Sequence, residues 1–398
     1  MGPAELAQAR RSWQRGPVRR AQLAEAAAQQ FYRLGFYRVS MADVAAAVGV
    51  TAPAIYRHFG SKQELLAAAI SSGLDTVAEA LDRAAGAPLA DFMSAMAGVA
   101  IARRDLWILL QREQRQLSPV QRQPLEEQFE GIVRPFRALV RRERPDLAAA
   151  GDSGLVTTAI LAVLASPSVY RAPMPKREQQ RVLAAAAQAA CHARWDPAGR
   201  AEPGHAAGAG LPSPRQAPDR GTEVLDTAIR LFASRGYQAV SMDDIGAGLG
   251  IAGPSLYHYY ATKSDILVAA FARATGWLAA QRRLTGQPPS LTDLVAAYID
   301  LGVRERMVFA VYVWEAVNLP PEAGRRIRSG LESDVQAWCA ALGDLRPRLT
   351  GSQRLVLVHA ARAVVHDVVR IGHWHDRPDL AAVLRALVMA VLTTPLER

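Results

Sequence analysis

Two stretches, Thr51 to Lys62 and Ala252 to Lys263, set small residues and hydrogen-bond donors in the same order. In the first, Thr51, Ala52, Pro53 and Ala54 are compact enough for close approach to base edges, and a Thr or Ala methyl can meet a thymine methyl. Tyr56, Arg57, His58 and Lys62 follow, donors of the type that hold phosphate oxygens. In the second, Ala252, Gly253 and Ser255 take the small positions, and Tyr257, His258, Tyr259 and Lys263 the donor positions. The implied chemistry is recognition of a nucleic-acid groove, in which the small residues read and the donors position.

Other constellations are weaker. His359, His366 and His373 recur at a spacing of seven, with Asp367, His375 and Asp376 nearby. On one helix, consecutive members lie ~10 Å apart, too far for one zinc ion at ~2 Å per ligand. Packing or ligand contact is expected of them, and no metal. No nucleophile–base pair or phosphate loop stands out, so no catalytic residue and no cofactor are expected. Leu106 to Leu110 and Met307 to Trp314 are apolar all round, as buried helices are, and Glu113 and Glu315 close them. Aromatic and apolar residues there and downstream, Trp107, Leu110, Phe136, Tyr298, Phe309, Tyr312, Trp314 and Trp338, with His366, are candidates to line an apolar ligand pocket. The Arg-rich runs Arg141 to Arg144 and Arg325-Arg326 read first as solvated faces.

The elements that position these residues come from an internal repeat. Shifting the sequence by 201 lays Leu23 on Val224, Phe31 on Phe232, Gly35 on Gly236, Ser40 on Ser241, Tyr56 on Tyr257 and Lys62 on Lys263, with no gap. Beyond Leu66 the register slips by one, so that Asp91 meets Asp293 and Glu113 meets Glu315. Within each copy, Ser40 and Ser241 precede an acidic residue by three, the pattern of a capping box, and each opens a helix. Gly49 and Gly250 supply a left-handed turn. Thr51 caps a second helix running to Phe59, with Pro53 in its first turn, where a missing N–H costs nothing. Ser61 and Thr262 cap a third. Gly246, Gly248 and Gly250 weaken the first helix of the second copy, at ~1 kcal/mol for each interior glycine.

The run Ile55-Tyr56-Arg57-His58-Phe59-Gly60-Ser61-Lys62-Gln63-Glu64-Leu65-Leu66 and its counterpart Leu256 to Leu267 resemble the DNA-binding signature of TetR-family transcriptional regulators. The resemblance implies an N-terminal helix-turn-helix followed by a helical effector domain with a ligand pocket. The DNA-contacting set then comprises the residues above with Ser40 and Ser241. Family members are usually homodimers of shorter chains, so two copies in one chain resemble the double TetR-type regulators, some of which govern lipid or sterol genes. One chain then imitates the dimer, as a monomeric pseudo-dimer. The implied function is a repressor released from a double-stranded DNA operator by an apolar small molecule, lipid-like ones included. A ligand-insensitive architectural DNA binder is the alternative, and an enzyme or carrier using the helical pockets a third reading.

Composition fits. With 398 residues and 50% hydrophobic content the chain can build two or three cores. Its net charge of +10 suits a polyanionic partner. Apolar residues recur at three- and four-residue spacing, so the fold class is all-α. Two cysteines, Cys191 and Cys339, exclude a disulfide framework. The first thirty residues scatter Arg10, Arg11, Arg15, Arg19 and Arg20 without the apolar core of a signal peptide, and Leu155 to Tyr170 is too short to span a bilayer. A cytoplasmic protein without membrane contact is expected. The boundaries read as a basic flexible leader over 1–18, a helix-turn-helix over 19–67, an effector domain over 68–195, a Pro/Gly-rich linker over 196–219, a second helix-turn-helix over 220–268 and a second effector domain over 269–398.

Overall fold

A computed structural model describes residues 3–149, 151–195, 219–251, 253–284, 288–372 and 374–396. Among them every regular element is helical. The chain divides into two compact units, residues 1–142 and 143–398. This division differs from the expected one at the linker, because the last helices of the first sequence half are buried among helices of the second. The linker itself, apart from Asp219, lies outside the described residues.

The first unit holds α1 (Pro3–Leu34), α2 (Met41–Ala47), α3 (Ala52–Ile55), α4 (Lys62–Arg83), α5 (Leu89–Ala102), α6 (Arg104–Ile108) and α7 (Pro119–Glu143). The segment 1–18, expected as a flexible leader, is helical from Pro3 onward as part of α1. Its Ala, Glu, Leu, Gln and Arg content favours helix strongly enough to carry through Pro17. Leu23, Ala27 and Phe31 on α1, with Leu65, Leu66 and Ile70 on α4, are wholly buried and form the core beneath the helix-turn-helix. A π-helical turn, Leu109–Glu113, continues α6.

The second unit opens with α8 (Pro145–Ala149), α9 (Ser153–Ala165) and α10 (Lys176–His192). It continues through α11 (Arg220–Arg235), α12 (Met242–Ala247), α13 (Gly253–Leu256), α14 (Lys263–Leu284), α15 (Leu291–Arg304), α16 (Arg306–Glu315), α17 (Pro321–Leu345), α18 (Gly351–Arg370) and α19 (Leu380–Leu392). The repeat is visible in element lengths. Helices α4 and α14 both have 22 residues, α5 and α15 both 14, and α7 and α17 both 25. The one-residue slip falls in the loop between the first and second members of each series.

Helices α9 and α10 pack on each other and on α18 and α19, a four-helix bundle drawn from both sequence halves. Leu155, Val156, Ile160 and Val163 of α9 and Val356, Leu357, Val364 and Val365 of α18 are wholly buried where the two helices pack. Each such side chain contributes ~1.5–3 kcal/mol of burial. Polar contacts fix the register. Arg377 pairs with Asp152 and, at 2.8 Å, with Asp379; Gln353 donates to Glu178 at 3.1 Å; and the rings of Tyr170 and His359 stack at 4.3 Å.

Candidate nucleic-acid interface

Both capping boxes form. The Ser40 hydroxyl oxygen accepts from the Asp43 amide at 3.1 Å while Asp43 accepts from the Ser40 amide at 2.8 Å; Ser241 and Asp244 repeat this at 3.1 and 2.7 Å. These bonds hold Asp43 and Asp244 below the ordinary carboxylate range. Gly49 and Gly250 adopt φ of +69° and +68°, the left-handed turn that side chains resist. Ser61 and Thr262 accept from the amides three residues on, at 3.1 Å each.

The second helix of each motif is shorter than expected. After Ile55 the backbone tightens, with the His58 amide donating to the Ile55 carbonyl at 2.9 Å, and the Tyr259 amide repeats this on Leu256. Ile55 and Phe59 are both fully buried, and the tighter turn lets both reach the core. Thr51 stands at the N-cap with extended backbone but makes no capping bond with its side chain, contrary to the expected capping role.

This geometry presents Thr51, Pro53, Tyr56 and Arg57 to solvent, with Ala52, Ala54 and His58 half-buried. In the second copy Pro254, Ser255, Tyr257, His258 and Tyr259 are exposed. Ala252 lies outside the described residues, and Gly253 opens α13. Tyr56 and Tyr257 show the same exposure, 57%, so the repeat extends to the surface. An open cleft of about 570 Å³ beside the first copy is lined by Arg38, Ser40, Tyr56, Ser61 and Lys62, among others. That convergence of hydroxyl, guanidinium and ammonium suits a phosphate backbone.

Both lysines, read from the sequence as phosphate donors, also pack against the turn before the helix-turn-helix. The Lys263 ammonium donates to the Tyr237 and Val240 carbonyls at 2.8 and 2.7 Å and lies 4.4 Å from the Tyr237 ring centroid; Lys62 lies 4.2 Å from the Phe36 ring. Burial pulls both below the ordinary lysine value, while Glu315 opposes this for Lys263 and Glu113 for Lys62. Burying the four-carbon stem draws the ammonium to the turn before the helix-turn-helix, which the spacing did not reveal. Arg20, expected within the opening segment of the first domain, is a clamp: it donates to the His58 carbonyl and, at 3.1 Å, to Glu64, with its guanidinium 4.1 Å from the Phe59 ring.

Glu113 and Glu315, noted in the sequence only as helix ends, are buried. Glu113 accepts from Arg112 at 2.6 Å, and Arg112 in turn donates to the Phe31 and Tyr32 carbonyls of α1. Glu315 accepts from the Tyr237 amide at 3.0 Å and from Asn318 at 2.7 Å. Both units thus tie an effector helix to the base of a helix-turn-helix.

Of the candidate pocket residues, Trp107 lies 6.3 Å from Phe129, and Phe136 meets Phe92 edge-on at 5.0 Å, while Leu110 is half-buried. In the second unit Tyr298, Phe309, Trp338 and His366 form one ring cluster with centroids 5.0–5.8 Å apart. Tyr312 instead meets Phe271 edge-on at 5.2 Å, and Trp314 is half-buried. His373 lies outside the described residues. Among the described residues no three His, Cys, Asp or Glu side chains gather closely enough to hold a metal ion, and no helix is long and apolar enough to cross a membrane.

Two helix-turn-helix units, each continued by long helices, define a helix-turn-helix protein. The model of the family described as "Bacterial regulatory proteins, tetR family" matches residues 23–69 and 224–270. The HTH-type transcriptional activator FasR of Mycolicibacterium smegmatis is 35% identical over 172 residues, covering 40% of this chain and 75% of FasR. The chain belongs to the tetR family. The HTH-type transcriptional regulator TtgR of Pseudomonas putida is 44% identical over 63 residues, 16% of this chain. The chain spans only 30% of the length of TtgR and of the probable regulator ArpR. Among solved structures, the TetR family regulator PfmR from Thermus thermophilus is 22% identical with a TM-score of 0.39, covering 44% of this chain and 99% of its own.

Proposed function

We propose that the chain is a ligand-responsive regulator acting in the cytoplasm, which leaves its DNA operator when a small molecule enters the helical domain. The observation that carries this reading is the bond from the Tyr237 amide to Glu315, which links an effector helix to the turn that carries a reading head. A ligand that displaces α16 would move that turn, and coupling of ~1–3 kcal/mol would weaken operator binding five- to 150-fold. Repression by occlusion of the promoter is the consequence of occupancy in this reading. The relatives carry both signs in their names: FasR is called an activator and KstR2 of Mycobacterium tuberculosis a repressor. The base-reading residues are Thr51, Ala52, Ala54, Gly253 and Ser255, flanked by phosphate contacts from Tyr56, Arg57, Tyr257 and His258.

The bundle of α9, α10, α18 and α19 supports a single chain that pairs its own halves. Footprinting across the chain's own upstream region, repeated with candidate apolar effectors, tests the reading. Protection that each effector leaves unchanged would favour an architectural DNA binder, and no protection would remove the regulator reading for that region.

A further inference from the structure

One buried ion cluster of the second half has no charged counterpart at the matching positions of the first. In the second unit Asp334 is 1% exposed and accepts from Arg282 at 2.5 Å and from Arg362. The Arg362 guanidinium lies 4.0 Å from the Tyr298 ring centroid and 5.6 Å from that of Trp338. In the first half the same register carries no charge. Arg282 of α14 corresponds to Leu81 of α4, and Asp334 of α17 to Ile132 of α7. Aligning α18 with α9 from their first residues sets Arg362 against Leu164, and from their last residues against Thr157, neither of them charged. The fold therefore closes without these charges, and keeping them in one half is unfavourable unless they serve something else.

Two further observations point to a ligand. The Trp338 indole N–H is buried and makes no hydrogen bond, and a buried donor without a partner is costly. Burial pulls the His366 imidazole below its ordinary value, yet 9% of the Arg362 side chain and 21% of the His366 side chain remain exposed. Aromatic rings flank the Arg362 guanidinium, and one carboxylate, Asp334, is shared between two guanidiniums.

We infer that the second half, and not the first, holds a site for an anion with an apolar body, whose charged group meets Arg362 and the Trp338 N–H while its body lies among Tyr298, Phe309 and His366. The inference deepens the ligand-responsive reading proposed above and rests on it for its regulatory meaning. A neutral apolar molecule would leave the Trp338 N–H unanswered and offer no charge to Arg362.

The test is calorimetry on the full chain with two matched pairs, 4-phenylbutyrate against 4-phenylbutan-1-ol and dodecanoate against dodecan-1-ol. At least one acid should bind about tenfold or more tightly than its alcohol, as expected for a hydrogen bond to a charged group. Arg362→Met keeps Asp334 paired with Arg282 and should bring acid and alcohol within about threefold. Trp338→Phe keeps the ring and should weaken the acid several-fold while leaving the alcohol unchanged, which serves if Arg362→Met does not fold. Equal binding of acid and alcohol, binding of neither pair, or undiminished preference in the folded variants would overturn the site. Operator binding by the unliganded variants is measured in parallel. Acid binding without any operator binding would defeat the regulator reading and leave the site standing.

Discussion

The Glu315 carboxylate and the Tyr237 backbone amide, 78 residues apart in sequence, meet at 3.0 Å in a site closed to water. The other Glu315 oxygen holds Asn318 at 2.7 Å, and the Lys263 ammonium approaches the same turn through the Tyr237 carbonyl at 2.8 Å. One residue thus donates its N–H to the effector helix and accepts on its C=O from the third helix of the motif. Neither helix can shift without disturbing the turn, and α12 follows directly from it.

Removing that carboxylate should therefore destabilise the second unit. Glu315→Leu leaves the Tyr237 N–H and the Asn318 amide unpaired and a half-buried lysine without its counter-charge, a loss of ~3 kcal/mol. Glu315→Gln keeps an oxygen for the amide and should lose about half as much. Urea unfolding of the three proteins measures this, and equal midpoints would show that the contact carries no stability.

At the DNA surface the two kinds of cation should separate. Arg57 is exposed, and Arg57→Ala should weaken binding to all sequences and lower the slope of log affinity against log salt by about one. Lys263 spends its protons on two carbonyls, so Lys263→Met should lower the unfolding midpoint by more than it changes that slope. Titrations at several salt concentrations decide the matter. A full unit lost from the slope of the folded Lys263→Met protein would make this lysine a phosphate contact.

The repeat, the caps and the turns were legible because each is a local rule: Ser three residues before Asp, Gly where φ must be positive, Pro in a first turn. Helix α1 was misjudged over 1–18 because Pro3, Pro17 and arginines suggested a solvated segment, whereas the intervening residues favour helix. The positions of Lys62 and Lys263 were illegible because the direction of a long side chain depends on Tyr237 and Phe36, which stand apart in sequence and close in space. The Arg282–Asp334–Arg362 cluster went unread for a different reason. Its signal is a difference between halves, visible once α4, α7 and α9 are laid on α14, α17 and α18. Gly248 is similar: it looked like a weak point in α12, but a Cβ there would meet Thr227 Cγ2 at 2.9 Å, so the glycine allows α12 to approach α11.

His359 should make stability depend on pH. Burial, with Arg362 adding to it, pushes its pKa down to about 3 beneath the Tyr170 ring. In the unfolded chain the imidazole titrates near its ordinary value, about 6.5. As pH falls below that value the unfolded state takes up a proton that the folded state refuses, so stability declines from about pH 6.5 toward pH 3. His359→Phe retains a ring for stacking and removes the proton site. Its loss of Tm between pH 7 and pH 4.5 should be smaller than that of the parent, by an amount worth ~2 kcal/mol. Parallel curves for the two proteins would mean that His359 does not differ between the folded and unfolded states.

The proposed pairing within one chain makes a prediction about the operator. Helices α9 and α10 precede the Pro/Gly-rich segment and α18 and α19 follow it, yet the four share one bundle. Its polar contacts are not interchangeable: Arg377 answers Asp152, Gln353 answers Glu178, and His359 stacks on Tyr170. Two copies of α9 and α10 brought together would set Asp152 and Glu178 beside unmatched partners, so these contacts favour the union of unlike halves. The tether raises the effective concentration of the second half to about millimolar, which adds to that preference. The reading heads are unlike as well, Thr51, Ala52 and Ala54 in one against Gly253 and Ser255 in the other. One chain should therefore cover one operator with two different half-sites. Native mass measurement of the free and DNA-bound protein, together with a footprint, reads both features at once. Arg377→Met should loosen the bundle and lower the unfolding midpoint by about 1–3 kcal/mol through the unpaired Asp152, without changing the half-site sequences. An obligatory dimer of chains on a perfect palindrome would refute the intramolecular pairing and leave the DNA-binding assignment intact.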